Sequence, residues 1–248
     1  MNLPPYQISV DGFAPDYFRV RSFIGKEAVS EAYSFDLVVD CDSDGDAVER
    51  VILGQRATLV FNVGDAPRAF HGIVASARLD EVHFASQSIK YRLRVVPRLW
   101  LLKRKQRTRI FQRMRVPEIV ASVLLEAGIS ARFQLTRAYP QREYTTQYEE
   151  TDYRFIKRIL AEAGIYFYFP QGSTPDSAAH SASSMASFSS AAIGEGLIPG
   201  DTVICADDAA CYPPLRGDNA ATLAASTAAA LAPAVGAAAG VGQGVRAP

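Results

Sequence analysis

YTTQYEETDYRFIKRILAEAGIYFYF, Tyr144 to Phe169, is the stretch from which the fold can be read. Thr151 or Asp152 is an N-cap, a short oxygen side chain that accepts from first-turn amides. Phe155, Ile156, Ile159, Leu160 and Ala163 then share one helical face, and Lys157, Arg158 and Glu162 take the other. Gly164 sits where a left-handed residue ends a helix, a conformation glycine takes without steric cost. Ile165–Phe169 switches to β-branched and aromatic residues, a strand rhythm. The block predicts strand, capped helix, glycine stop and aromatic strand: a rigid packing unit with no evident chemistry of its own.

Upstream, Tyr6 to Trp100 reads as short strands between turns. The segment Phe18–Gly25 sets Phe18, Val20, Ser22 and Ile24 against Arg19, Arg21 and Phe23. Tyr33, Phe35, Leu37 and Val39 alternate likewise, as do Leu59, Phe61 and Val63, and Tyr91, Leu93 and Val95. A meander of this kind predicts a sandwich or barrel. A second helix is predicted over Pro117–Ala127, with proline at its start, Glu118 at the positive end, a buried face of Ile119, Val120, Val123 and Leu124, and Gly128 as its stop. Leu124–Ile129 and Leu160–Ile165 are near copies, each ending a helix and launching a strand.

Downstream the character changes. Ser, Ala, Gly and Pro dominate Pro170–Gly196, which predicts a loop or disordered insertion. Asp201–Asp207, DTVICAD, is a last strand, and Ala220–Ala247 offers no continuing fold. The predicted fold is therefore mainly β, two barrel-like modules with two docked helices and an Ala/Ser/Gly-rich C-terminal region. Its divisions are a first module over 1–102, a helix-containing second module over 103–169, a low-complexity insertion over 170–200, the second module's last strand over 201–212, and a tail over 213–248.

In 248 residues Lys+Arg and Asp+Glu balance at 26 each, so no global charge selects a partner. Three cysteines, Cys41, Cys205 and Cys211, cannot all pair within the chain, a usage suited to a reducing compartment. Met1–Tyr6 has neither a basic nor an apolar leader segment, so no signal peptide is expected.

Gln147, Tyr148, Glu149, Glu150, Thr151 and Asp152, then Phe155, Arg158 and Gly164–Phe169 with Tyr166 and Phe169, resemble the signature of the VgrG proteins. That family forms the trimeric tip of type VI secretion systems and is related to phage late control protein D, the baseplate hub of contractile tails. Leu53-Gly54-Gln55, the FHGIV strand with Gly72, Pro97–Leu102 with Trp100, and Arg109-Ile110-Phe111-Gln112 resemble its successive strand motifs. The resemblance covers about Tyr6–Asp208. It implies a structural role as a tube-like spike base without the neck and needle. It further implies a homotrimer, a hexameric inner-tube protein and baseplate proteins as partners, and cytoplasmic assembly with export in the apparatus.

Reactive chemistry is sparse beside this. Lys90, Arg92, Arg94, Arg98, Lys103, Arg104, Lys105, Arg107, Arg109, Arg113 and Arg115 run without an acid between Glu81 and Glu118. Interleaved with Tyr91, Trp100 and Phe111, they suit a phosphate-tracking groove. A solvated strand face, or a face neutralised by acids across a subunit contact, is the plainer reading, and no nucleic-acid partner is expected. Asp40–Gly45 matches half of an EF-hand loop but has Val51 where the bidentate glutamate belongs. His71, His83 and His180 show no metal-ligand spacing, and His71 reads as a structural histidine. Neither GxSxG, HExxH nor a phosphate-binding glycine loop occurs, so no catalytic residue, metal or cofactor is expected. The uncharged Ala220–Val245 is too poor in Leu and Ile for stable membrane insertion. Beside the structural reading stand a basic nucleic-acid-binding module, a non-functional truncated tip protein, and a hydrolase with an unrecognised site.

Overall fold

Alternating apolar residues in the first hundred positions build a six-stranded antiparallel sheet. In the computed structural model, residues 4–42, 48–62, 68–83, 88–170 and 202–211 are described. The strands are β1 (Tyr6–Val10), β2 (Arg19–Lys26), β3 (Ser34–Asp42), β4 (Arg56–Phe61), β5 (Arg68–His83) and β6 (Ser88–Val96), in the order β1-β4-β5-β6-β3-β2. Register places Phe35, Leu37 and Val39 of β3 opposite Val95, Leu93 and Tyr91 of β6. All six are buried, which makes one wall of the core. The edge strands β1 and β2 meet through the rings of Tyr6 and Phe23, 5.0 Å apart, so the sheet curls towards closure.

One strand departs from its predicted phase. A bulge between Val20 and Ser22 shifts the register of β2. A one-residue slip moves every later side chain to the opposite face. Ile24, expected inside, is 78% exposed, while Phe23 packs edge-on against Phe61 at 5.0 Å.

Gly72 explains how β5 and β6 come so close. A Cβ there would run into the Val96 carbonyl, and the Tyr33 hydroxyl stands beside it, donating to the carbonyl of His71. His71 Nδ1 lies 3.1 Å from Thr58 Oγ1 and burial lowers its pKa, so it is a hydrogen-bonded, neutral histidine.

The second half is mixed. β7 (Gln106–Met114) pairs with β9 (Arg142–Thr151) as a two-stranded ribbon. β8 (Ala131–Gln134), β10 (Tyr166–Tyr168) and β11 (Val203–Ala206) form a sheet in the order β10-β11-β8, with β8 parallel to β11. The strand expected from DTVICAD thus becomes the centre of a sheet. The helices α2 (Val116–Glu126) and α3 (Asp152–Glu162) end alike. Ile129 and Ile165 donate to Leu124 and Leu160 at 2.9 Å, and Gly128 and Gly164 donate to Leu125 and Ala161 at 2.9 and 3.0 Å. Both glycines are left-handed, at φ +66° and +67°.

Among the described residues three helical pieces lie outside the expected pair: α1 (Val48–Ile52), a 3-10 turn over Arg98–Lys103 and another over Ala209–Cys211. Val48 with Ile52 and Leu99 with Leu102 are the residues the first two bury among those described, and the third buries none, too few for helical periodicity to show. No helix among the described residues is long and apolar enough to cross a membrane. Cys41 and Cys205 are buried thiols and Cys211 is half-buried. The expected insertion from residue 171 onward, the tail over 213–248, His180 and residues 43–45 of the half EF-hand loop lie outside the described residues.

Candidate functional site

Asp152, the first residue of α3, is the centre of the quoted block. Thr151 rather than Asp152 caps the helix, its hydroxyl accepting from Arg154 N at 3.2 Å. Asp152 is thereby free to face the ribbon. Its Oδ1 accepts from Arg109 Nη2 and from Gln147 Nε2, both at 2.8 Å, and Arg107 Nε stands 3.2 Å from Oδ2. The strand alternation of β7 puts Arg107, Arg109 and Phe111 on the helix side together. The same two guanidiniums reach Glu126 at the end of α2, Arg109 at 2.6 Å and Arg107 in a shorter contact. Two arginines therefore bridge the tail of one helix to the head of the next. Their hydrogen bonds hold the Glu126 carboxyl below its usual range.

Gln147 completes the junction. Fully buried, it accepts from Arg109 Nε at 2.8 Å and donates to the Glu150 carbonyl at 3.0 Å. Phe111 stacks on Phe155 with ring centroids 5.4 Å apart, and each ring carries a guanidinium, Arg109 at 5.1 Å and Arg158 at 5.5 Å. Arg158 also pairs with Glu150 and Glu162, and donates to the Thr146 carbonyl at 3.0 Å.

Gln147, Glu150, Asp152, Phe155, Arg158 and Phe111 thus gather at one place. The other motif residues lie apart from it. Gln112 is exposed on β7 opposite Tyr144, and Tyr148 is exposed beside a bulge. Trp100 lies under the Arg104 guanidinium at 5.9 Å. Tyr166 donates to the Asp208 carbonyl at 2.8 Å, and Gly72 stays in the first sheet. Phe169 is buried edge-on against Tyr33 at 5.1 Å, which carries the aromatic strand into the first sheet.

A second set of contacts makes that link firm. Ser30 donates to the Phe167 carbonyl at 2.8 Å, and Phe167 N donates to Ser30 Oγ at 3.3 Å. The Tyr153 hydroxyl accepts from Ala32 N at 2.9 Å and donates to Glu31 at 3.0 Å. Glu31 also pairs with Lys157, and chiefly that bond lowers its pKa. Lys103 stands over the Tyr153 ring at 4.5 Å.

Sequence reasoning missed Glu31, Tyr153 and Asp207. The Asp207 side chain is fully buried and accepts from Thr136 N at 2.8 Å, Thr136 Oγ1 at 3.0 Å, Arg137 N at 3.0 Å and Tyr139 Oη at 2.8 Å. Burial alone would raise its pKa, but these donors bring it down to about 2. Tyr139 is pushed up to about 12 by burial and by the carboxylate beside it. No sequence pattern marks Asp207, because its donors precede it by about seventy positions.

Part of the basic run finds its acids inside the chain. Lys90 pairs with Glu81, Arg92 with Asp80, Arg94 with Asp36, and Arg115 with Glu118. Among the described residues no group of three or more His, Cys, Asp or Glu could hold a metal. The arrangement is built to hold parts together, with Asp152, Glu126, Glu31 and Asp207 each meeting donors from other elements.

Comparison with known proteins agrees with that character. A family model described as phage tail baseplate hub (GPD) matches residues 26–239. The type VI secretion system spike protein VgrG4b of Pseudomonas aeruginosa is 37% identical over 171 residues, 68% of this chain and 20% of the relative. VgrG5 of the same organism is 36% identical over 174 residues, 67% of this chain and 21% of the relative. The chain spans about a fifth of the length of these curated relatives. Among solved structures, an Escherichia coli component of the type VI secretion system, described as similar to the T4 bacteriophage tail proteins gp27 and gp5, superposes with a TM-score of 0.64. It is 25% identical, with 85% of this chain and 53% of that chain covered.

Proposed function

This chain belongs to the phage tail baseplate hub family, and from that premise we propose that it forms the tube-like base of a VgrG-type spike. Three copies close a ring that seats on a hexameric inner-tube protein within the baseplate. The ring assembles in the cytoplasm and leaves with the injection apparatus. The observation that carries this reading is the family match, which runs from the end of β2 through β3 to β11 and includes both long helices. The geometry supports it. The Asp152 junction and the Ser30–Phe167 contact lock the ribbon, two helices and both sheets together, and a ring that bears load needs such stiffness. The hub family is structural, and nothing in the junction points to catalysis.

Light scattering on the full chain tests it. A mass of three copies is expected, together with retention of that species on an immobilised hexameric tube protein. A single copy at high concentration, or turnover of a substrate, overturns it.

A further inference from the structure

Away from the Asp152 junction, the register of the first sheet gathers a second set of polar groups. Arg56 of β4 lies opposite Ile73 of β5, and Thr58 lies opposite His71. Directly opposed residues and those two apart share a face, so these four side chains stand together. Ala57 and Leu59, which alternate with them on β4, are buried in the core, so the shared face is the outer one. Asp11, just after β1, and Arg98, at the start of the 3-10 turn, complete the walls of a cavity of about 180 Å³.

The lining has the chemistry of an anion site. Thr58 Oγ1 engages His71 Nδ1 at 3.1 Å, and among the described residues none bonds Nε2. Burial lowers the His71 pKa, which keeps the ring neutral at pH 7. Arg56 stands 3.9 Å from Asp11, beyond hydrogen-bond reach, and both side chains are more than half exposed. Two guanidiniums, one carboxylate and a neutral imidazole leave the cavity with one net positive charge.

We propose that this cavity binds a small carboxylate, held by the Arg56 and Arg98 guanidiniums and by the His71 Nε2–H. Guanidinium forks match the two oxygens of a carboxylate, and a monoanion balances the net charge. The Thr58 hydroxyl donates to Nδ1, which keeps the imidazole proton on Nε2, where the ligand needs a donor. A proton taken up by His71 adds a further positive charge beside the ligand, so binding tightens as pH falls through the titration of the histidine. Asp11 faces the same space and limits that gain. A dianion such as phosphate is left one charge out of balance while His71 is neutral. The site stands on its own geometry and does not depend on the spike reading.

Acetate added to the full chain, labelled with 15N-histidine, tests it by NMR. Spectra of His71→Gln assign the His71 signals. At pH 7 those signals should report the Nε2–H tautomer and move saturably with acetate, while those of His83 and His180 stay in place. At saturation the His71 pKa should rise by about one unit, which corresponds to tenfold tighter binding to the imidazolium form. Arg56→Gln alters an exposed side chain, so the fold is kept, and acetate binding should weaken at least tenfold. Thr58→Val should mix the two tautomers and weaken binding as well. An absent or unsaturable shift, equal shifts at all three histidines, or undiminished binding in Arg56→Gln overturns the site. Saturable shifts with inorganic phosphate but not with acetate overturn the carboxylate class.

Discussion

Asp207 shows how much one carboxylate can organise. Its pKa falls from an ordinary 3.8 to about 2. At roughly 1.4 kcal/mol per unit, that fall is worth about 2 kcal/mol of folding free energy. Because the folded value is the lower one, this contribution is complete above pH 3.8 and is lost as pH falls towards 2. Asp207→Asn should therefore lower stability by about 2 kcal/mol at pH 7 in urea unfolding, with the gap to wild type narrowing at pH 3. An undiminished gap at pH 3 would contradict the account. Gly72 teaches the complementary lesson, since it is needed for the space it leaves empty. Gly72→Ala drives a Cβ into the backbone carbonyl of Val96, where no side chain can yield. A loss of about 1–3 kcal/mol is expected, since strands β5 and β6 must move apart. A neutral substitution would show that the ladder has slack.

Among elements, the two glycine-ended helices form a matched pair with unequal surroundings. At Gly164 a new Cβ would lie 3.1 Å from Arg137 Nη2, and at Gly128 its nearest neighbour is Arg98 Nη2 at 3.8 Å. Both alanine variants suffer the left-handed backbone, about 1–2 kcal/mol, but only Gly164→Ala also displaces a guanidinium bonded to the Gly164 carbonyl at 2.9 Å. Thermal unfolding should rank Gly164→Ala below Gly128→Ala. Asp152→Ala should cost more than either, about 3 kcal/mol, because Arg109 and Gln147 are left facing a buried gap. These elements also show which parts of the fold were legible. The stop at Gly164, the buried face from Phe155 to Leu160 and the alternation of β3 and β6 follow from neighbours in sequence, so periodicity reveals them. The phase of β2 does not, because a bulge leaves no compositional mark and turns Ile24 outward. The junction was half legible: Gln147, Asp152 and Phe155 stood out as a motif, but their partners Arg107, Arg109 and Glu126 lay in a separate basic run and helix. Pairing across about forty positions is a property of topology.

For the whole molecule, the shifted carboxylates and the one shifted histidine act on stability with the same sign. Glu31, Glu126, Glu162 and Asp207 all have lowered pKa values, and burial lowers that of His71. In each case the unfolded chain takes up protons first as pH falls, so each group erodes stability on the acid side. Melting temperature should decline from pH 7 downward, beginning as pH passes the ordinary histidine value of 6.5 and steepening below 4.5. A maximum near pH 4 would reverse that sign. The carboxylates concerned join distant segments, Glu31 to Lys157 and Asp207 to Thr136 among them, so acid loosens the long-range ties. The central place of β11 has its own consequence for synthesis. Its residues, Val203–Ala206, lie between β10 and β8, yet they leave the ribosome after both. Until they emerge, the nascent chain carries two bare edges that belong to a strand not yet made, and a polypeptide stalled after Tyr168 would present both to any other unfinished chain nearby.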